Sequence, residues 1–250
     1  MLIHGECLEE MSKLKDNSIH FIMTDLPYGT TKNSFDVQID LTKLWFEYRR
    51  LIKRNGCIAL FAQCPFDKVL GVSNYEMLKY EWIWEKNTPT GHLNSHFAPM
   101  KSHENILIFS KAAACYVKDK SQAMVYYPQR TPAPKRIINT SRKNSRSTNY
   151  DTKWQRPTLY DNEGLKYPTS VLKFDTERGL HPTQKPVCLL EYMINTYTQE
   201  GETVLDSCAG SGTTAIAAMN TKRNFICIER DDKYFEIMKK RVEQHQPTCQ

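Results

Sequence analysis

This sequence of 250 residues is poor in several features that mark particular classes of protein. It has no run of about 18 apolar residues, so we expect no membrane-spanning helix. The stretch from Met1 to Glu6 lacks a basic region followed by an apolar one, so we expect no secretory signal. The eight cysteines include no Cys-x-x-Cys pair. They therefore predict reduced thiols in a cytoplasmic protein, with neither a disulfide framework nor a metal site.

Positive charge is concentrated in one part of the chain. The net charge is +6, but residues 111–160 contain eleven Lys and Arg against two acidic residues, Asp119 and Asp151. The rest of the chain is therefore slightly acidic. Residues 139–156 show no hydrophobic periodicity, and tyrosine and tryptophan are interleaved with the basic residues around them. A basic segment on a near-neutral body predicts a surface that binds a polyanion.

The motif Asp25-Leu26-Pro27-Tyr28 follows an apolar run typical of a buried strand. Pro27 favours an extended Leu26, whose carbonyl then points outward. That carbonyl and the Asp25 carboxylate are two neighbouring acceptors, which complement an exocyclic NH2 group. Tyr28 offers a ring on which a base can stack. Taken alone, the motif more often marks a strand that ends in a proline turn.

A glycine-rich turn follows a second apolar strand near the C-terminus. Residues 203–206 lead into Gly210 and Gly212, and a helix is predicted from Thr213 onward. Glu229 ends the next strand, 19 residues after Gly210. A nucleotide-binding fold places there the carboxylate that binds ribose hydroxyls. This pattern alone fits a nicotinamide or flavin dinucleotide site as well.

A third segment, His181-Pro182-Thr183-Gln184-Lys185-Pro186, precedes a predicted helix. Pro186 suits the first turn of that helix. A capped helix start is the simpler interpretation of this segment when it is considered by itself.

Together the three segments resemble the DNA amino-methyltransferases that use S-adenosylmethionine. The resemblance is to the beta arrangement, in which the catalytic motif comes first, a recognition insert follows and the cofactor loop is last. The family signature Asp-Pro-Pro-Tyr is matched by residues 25–28, and Asp-Pro-Phe-x-Gly-Ser-Gly-Thr-Thr by residues 206–214. Residues 181–186 match the family's cofactor-side motif at every position, and the resemblance covers nearly the whole chain.

The resemblance implies a Rossmann-like α/β fold with a mostly parallel seven-stranded sheet, helices on both faces and a permuted motif order. It divides the chain into a catalytic half (1–110), a basic target-recognition insert (111–180) and a cofactor-binding half (181–250). It implies a bacterial, archaeal or phage-encoded enzyme acting on double-stranded DNA. A homodimer and a cognate restriction endonuclease both remain open.

The resemblance also implies residue roles. The catalytic residues are Asp25, Leu26, Pro27 and Tyr28. The cofactor-binding residues are Glu6, Cys7, Asp25, His181, Thr183, Gln184, Lys185, Asp206, Cys208, Ala209, Gly210, Ser211, Gly212, Thr213, Thr214, Glu229 and Arg230. The DNA-binding residues are Arg136, Arg142, Lys143, Arg146, Lys153, Trp154 and Arg156. For Glu6, a surface acid in a strand-to-helix turn is an equal alternative.

Three residues depart from the family signatures. Leu26 replaces the first proline, and we expect activity to survive because the backbone carbonyl acts there. Ser207 and Cys208 replace a proline and a phenylalanine. The loss of the phenylalanine removes an aromatic wall near the methionine end of the cofactor, so we expect weaker cofactor binding.

The expected activity is methyl transfer from S-adenosylmethionine to N6 of a flipped-out adenine. In the family, adenine enzymes mostly begin the catalytic motif with aspartate and cytosine enzymes with serine, and this chain has Asp25. Alternatives are an N4-cytosine DNA methyltransferase, an RNA methyltransferase and a catalytically inactive DNA-binding relative. A nicotinamide-dependent oxidoreductase is a further alternative, but it gives no role to Asp25 or to the basic insert.

Overall fold

The computed structural model describes residues 1–27, 39–115, 117–139, 159–177, 179 and 184–245. The helices are α1 (Cys7–Ser12), α2 (Leu41–Leu51), α3 (Phe66–Ser73), α4 (Val187–Tyr197), α5 (Thr213–Asn220) and α6 (Asp232–Glu243). The strands are β1 (Leu2–His4), β2 (Ile19–Asp25), β3 (Ile52–Ala62), β4 (Leu78–Thr90), β5 (Lys101–Phe109), β6 (Thr131–Pro132), β7 (Ile137–Asn139), β8 (Leu159–Asp161), β9 (Leu165–Lys166), β10 (Val171–Lys173), β11 (Thr203–Asp206) and β12 (Asn224–Glu229).

The main sheet has eight strands in the order β1-β12-β11-β2-β3-β5-β4-β10. Only the pairings of β5 with β3 and with β4 are antiparallel. The predicted α/β fold with a mostly parallel sheet and a permuted motif order is confirmed, but the predicted count of seven strands is wrong. The additional strand is β10, which pairs in parallel with the outer edge of β4. It is too short to show a period in the sequence.

Helices cover both faces of this sheet, as the continuous apolar strands predict. Alternate residues of β3 show the two sides, because successive strand side chains point to opposite faces. Ile58 and Leu60 belong to a core shared with helices α1, α2 and α3, whereas Ala59 and Phe61 belong to a core shared with α4 and α5.

The parallel strands bring their carboxyl ends to one edge of the sheet, where ligands bind in open α/β folds. Asp25 ends β2, Asp206 ends β11 and Glu229 ends β12. These three strands are consecutive in the sheet. The sheet therefore gathers three carboxylates that are far apart in the chain.

The chain divides into two compact units, one made of Met1–Tyr127 with Ser170–Gln250 and the other of Pro128–Thr169. The smaller unit contains two short ladders, β6 with β9 and β7 with β8. Asn162 ties it together, since its amide nitrogen donates to the Pro134 carbonyl and its oxygen accepts from the Arg136 N–H. A role for this unit in target recognition stays a prediction.

Within the described ranges, no helix combines the length and the apolar character that crossing a bilayer requires. The same ranges bring together no group of three His, Cys, Asp or Glu side chains suited to holding a metal ion.

Candidate functional site

A buried ion pair lies at the end of β2. The Lys185 ammonium donates to Asp25 Oδ2 at 2.5 Å, and the lysine side chain is only 8% exposed. Lys185 immediately precedes Pro186, the N-cap of α4. The contact therefore joins the first and the third sequence motifs. The expectation that Lys185 binds the cofactor remains a prediction, and its contact in this structure is with the catalytic motif.

Glu104 extends this pair into a network that sequence reasoning missed. Its Oε2 lies 3.3 Å from the Lys185 nitrogen, and its Oε1 accepts from Lys86 at 2.5 Å and from the Gln63 amide at 2.8 Å. The signal in the sequence is an acid just before the apolar run of residues 106–109 in strand β5. Such a residue needs a cationic partner when it is buried.

The charges in this network favour one another. Burial raises the pKa of Glu104, but Lys185, Lys86 and the hydrogen bonds from Lys86 and Gln63 outweigh burial and lower that pKa to about 2. Burial lowers the pKa of Lys185, but Asp25 and Glu104 outweigh it and raise that pKa above its usual range. Glu104 and Lys185 are therefore both charged at neutral pH.

Asp206 is a buried carboxyl group at the end of the neighbouring strand. Its Oδ1 accepts from the Cys208 N–H at 3.1 Å, and its Oδ2 accepts from the Thr214 hydroxyl at 2.5 Å. Burial raises its pKa to about 7 despite these hydrogen bonds, and the charge of Asp25 adds to the rise. The ionised form is thus incompletely compensated by the protein, so a cationic ligand would favour it.

The glycine-rich turn has the left-handed backbone conformation that glycine adopts without strain. Gly210 and Gly212 have positive φ angles of 51° and 79°. A Cβ atom at Gly212 would lie 2.5 Å from Met238 Cγ on helix α6. Arg241, on the same helix, donates to the Ser211 carbonyl at 3.3 Å and to the Thr213 hydroxyl at 3.1 Å. Helix α6 therefore fixes the loop between β11 and α5.

Glu229 holds the turn from the other side. Its Oε2 accepts from the Gly210 N–H at 2.7 Å, and its Oε1 accepts from the Asp231 N–H at 2.8 Å. Each carboxylate oxygen can accept a second hydrogen bond, so Glu229 can still bind hydroxyl groups. The adjacent Arg230 is exposed.

Glu6 is exposed and caps helix α1, where its carboxylate accepts from the Glu9 N–H at 2.9 Å and from the Cys7 thiol at 3.3 Å. These contacts agree with the interpretation of Glu6 as a surface acid in a strand-to-helix turn. Cys7 is buried.

The residues that depart from the family signatures are well accommodated. The Leu26 side chain is buried in the core shared with α1, α2 and α3. The buried Ser207 hydroxyl is hydrogen bonded to the Tyr48 hydroxyl at 2.7 Å, and its N–H donates to Thr24 Oγ1 at 3.2 Å. The Cys7 thiol and burial raise the pKa of the Cys208 thiol well above its usual range, so that thiol stays neutral.

Several predicted site residues lie outside the described residues. They are Tyr28, His181, Thr183, Arg142, Lys143, Arg146, Lys153, Trp154 and Arg156. Arg136 is described and is an exposed residue of the smaller unit. Gln184 donates to Glu177 Oε2 at 3.3 Å, and its buried Oε1 has no hydrogen-bond partner among the residues that the structure describes.

The site as a whole suits a cationic nucleotide-like ligand. Asp206 supplies a carboxyl group that a positive charge would ionise, and Glu229 supplies acceptors for hydroxyls. Gln184 supplies a buried acceptor, Oε1, to which no described residue donates. The glycine turn lets backbone approach the ligand closely.

Comparisons with known proteins indicate the family that this chain resembles. A model of the DNA methylase family matches residues 19–240. The DNA adenine methyltransferase YhdJ of Escherichia coli is 28% identical over 97% of this chain and 82% of its own length. The type II methyltransferase M2.MboI of Moraxella bovis is 25% identical over 99% of this chain and 89% of its own length.

Solved structures show the same fold. The M1.HpyAVI-SAM complex has a TM-score of 0.64 and 25% identity, covering 96% of this chain and 98% of that chain. The cytosine-N4-specific PvuII DNA methyltransferase has a TM-score of 0.65 over 100% of this chain and 87% of its own, at 14% identity.

Replacing Gly212 with alanine should lower the free energy of unfolding by roughly 2–4 kcal/mol, because positive φ strain adds to the overlap with Met238. Gly201→Ala is the matched control, since Gly201 has a φ of 80° and nothing within 4 Å of its added Cβ. Chemical denaturation should show a loss of only about 1 kcal/mol for the control. Equal losses in the two variants would contradict this account of Gly212.

The raised pKa of Asp206 predicts how stability depends on pH. Between the ordinary pKa of an aspartate and about 7, the folded protein binds more protons than the unfolded chain, so its stability falls as pH rises through this window. Asp206→Asn, which does not titrate, should lack this component. Denaturation without added cofactor should show that, from pH 4 to pH 8, the free energy of unfolding of the variant rises relative to that of the wild type by roughly 2–4 kcal/mol. A constant difference across this range would contradict the assignment.

Proposed function

The chain belongs to the DNA methylase family, and from that premise we propose that it methylates the N6 amino group of a flipped-out adenine in double-stranded DNA. Its cofactor, S-adenosylmethionine, supplies a methyl group on a positively charged sulfur that is already activated for transfer. The observation that carries the proposal is the contact of Asp25 with Lys185, on the strand next to the one that ends in Asp206. An amino-group acceptor and a cation-binding group thus lie on adjacent strands.

The chain's own residues hold the cofactor in this proposal. Asp206 binds a positively charged group of the cofactor. Glu229 accepts hydrogen bonds from the ribose hydroxyls while it keeps its two backbone hydrogen bonds. The N–H groups at the start of α5 favour the carboxylate of the methionine end. Gln184 Oε1 offers a further acceptor, and Lys185 acts through Asp25.

Asp25 and the Leu26 carbonyl act on the target amino group. The lone pair of adenine N6 is delocalised into the ring, so the nitrogen is a weak nucleophile. Two acceptors that bind both of its hydrogens let the nitrogen turn its lone pair toward the methyl group. Since the Lys185 ion pair fixes Asp25, this alignment exists before substrate arrives.

The choice of adenine rests on Asp25 as the first residue of the catalytic motif. The Escherichia coli relative is named as an adenine methyltransferase, which supports the same base. The relative M2.MboI is named as a type II methyltransferase, so the proposal includes a cognate restriction endonuclease.

Expression in a host without its own DNA methylation tests the reaction directly. Nucleosides from host DNA, separated by mass, should contain N6-methyladenine, and the position of the modified base identifies the recognised site. Asp25→Ala should reduce turnover by about 10² or more, because one of the two acceptors is lost. Methylcytosine without methyladenine would refute the base. Methylation confined to RNA, or none at all, would refute the DNA reaction.

Glu104→Gln tests the network behind Asp25. The variant keeps its hydrogen-bonding shape but removes one of the two anions that raise the pKa of Lys185. Lys185 should then lose its proton at lower pH, so the alkaline limb of the turnover profile should move to lower pH. Turnover near neutral pH should fall roughly tenfold with little change in KM, because alignment suffers more than binding.

The control for this experiment is Glu76→Gln, since Glu76 is an exposed acid that lies 3.9 Å from Arg49. Its pH profile should match that of the wild type. An unshifted alkaline limb in Glu104→Gln would contradict the role of Glu104 as a positioning residue.

A further inference from the structure

Strands β4 and β5 continue as an arm beyond the edge of the sheet where Asp25 lies. The pairing of β3 with β5 ends at Ala62 and Asn105, next to the pair formed by Asp25 and Phe61. Residues 85–103 run on past that level and are joined again by the pair Thr90 and Lys101. At about 3.3 Å per residue, the arm reaches roughly 15 Å beyond the strand ends.

The tip of this arm is an ordered turn. Gly91 has a φ of 89°, and a 3-10 turn spans His92–Asn94. The Asn94 N–H donates to the Gly91 carbonyl at 3.0 Å, and the Asn94 carbonyl accepts from the N–H groups of Phe97 at 2.9 Å and Ala98 at 3.0 Å. The backbone therefore fixes where the tip side chains are presented.

Large apolar side chains stand out from this fixed turn. Leu93 is 83% exposed and Phe97 is 91% exposed, the two highest values among the large hydrophobic residues that the structure describes. Exposed apolar groups that are held together on an ordered element mark an interaction site more often than scattered ones do.

The charge of the arm indicates which kind of partner binds Leu93 and Phe97. Glu85 at the base of the arm lies 3.2 Å from the Lys173 nitrogen, and Lys86 is paired with Glu104. Beyond these two pairs, residues 87–103 contain Lys101 and three histidines but no aspartate or glutamate. A polyanion complements this arm, whereas a second copy of the tip would bring like charges together. Apolar side chains on a cationic element are the means by which proteins wedge between the base pairs of DNA.

We propose that Leu93 and Phe97 insert into the DNA base stack beside the target and occupy the space that the flipped-out base leaves. This inference rests on the proposed function and adds the surface that drives base extrusion. Moving a base out of the stack costs a few kcal/mol, and the two side chains offset part of that cost by replacing the lost stacking.

The test uses the site mapped in the host DNA and two duplexes that contain it. One duplex is fully paired, and the other has an abasic position opposite the target, which makes extrusion easier. The double variant Leu93→Ala and Phe97→Ala should lose at least about tenfold in kcat/KM on the paired duplex. On the abasic duplex it should stay within about threefold of the wild type, and its cofactor binding should be unchanged.

The matched control is Val72→Ala, since Val72 on helix α3 is an apolar residue with 76% exposure. It should behave as wild type on both duplexes. An equal loss of kcat/KM on both duplexes by the double variant, or no loss on either, would contradict the insertion of Leu93 and Phe97 into the base stack. If the double variant changes its oligomeric state and its kcat/KM is not restored on the abasic duplex, the tip instead forms contacts between two copies of this protein, and the proposal is wrong. A wild type that methylates neither duplex would contradict the proposed function itself.

Discussion

The ion pair between Lys185 and Asp25 joins parts of the chain that are 160 residues apart in sequence. One partner ends the strand that carries the catalytic motif, and the other precedes the helix that leads into the cofactor half. Because the Lys185 side chain is 8% exposed and that of Asp25 only 23%, neither charge becomes fully hydrated in place if the two side chains separate. The ion pair therefore aligns the two halves of a permuted fold. Glu104 on β5 and Lys86 on β4 extend the same network.

The same edge of the sheet must hold several acidic groups, and their environments give them different properties. Asp25 is paired with a lysine and Glu229 accepts from backbone N–H groups, whereas the hydrogen bonds to Asp206 do not offset its burial, which raises its pKa to about 7. In the proposed function, a positively charged cofactor would complete the compensation at Asp206.

The sequence predicted those parts of the site that depend on local patterns. The glycine turn, the acids at strand ends and the start of α4 each follow from a few neighbouring residues. Glu104 and β10 were missed because their roles depend on strand pairing across long separations. Lys185 was recognised as a site residue, but its contact with Asp25 follows from topology rather than from spacing. The exposed tip formed by Leu93 and Phe97 was likewise visible only once the register of β4 and β5 was known.

A double-mutant cycle in the free energy of unfolding tests the central ion pair most directly. The cycle compares Asp25→Asn, Lys185→Met and the double variant by chemical denaturation, so its result does not depend on residual activity. Each single variant should be destabilised by roughly 2–4 kcal/mol because a buried charge loses its partner. The double variant should be more stable than the sum of the two losses predicts, by about 1–3 kcal/mol. Strictly additive losses would show that the two residues do not interact and would contradict this account.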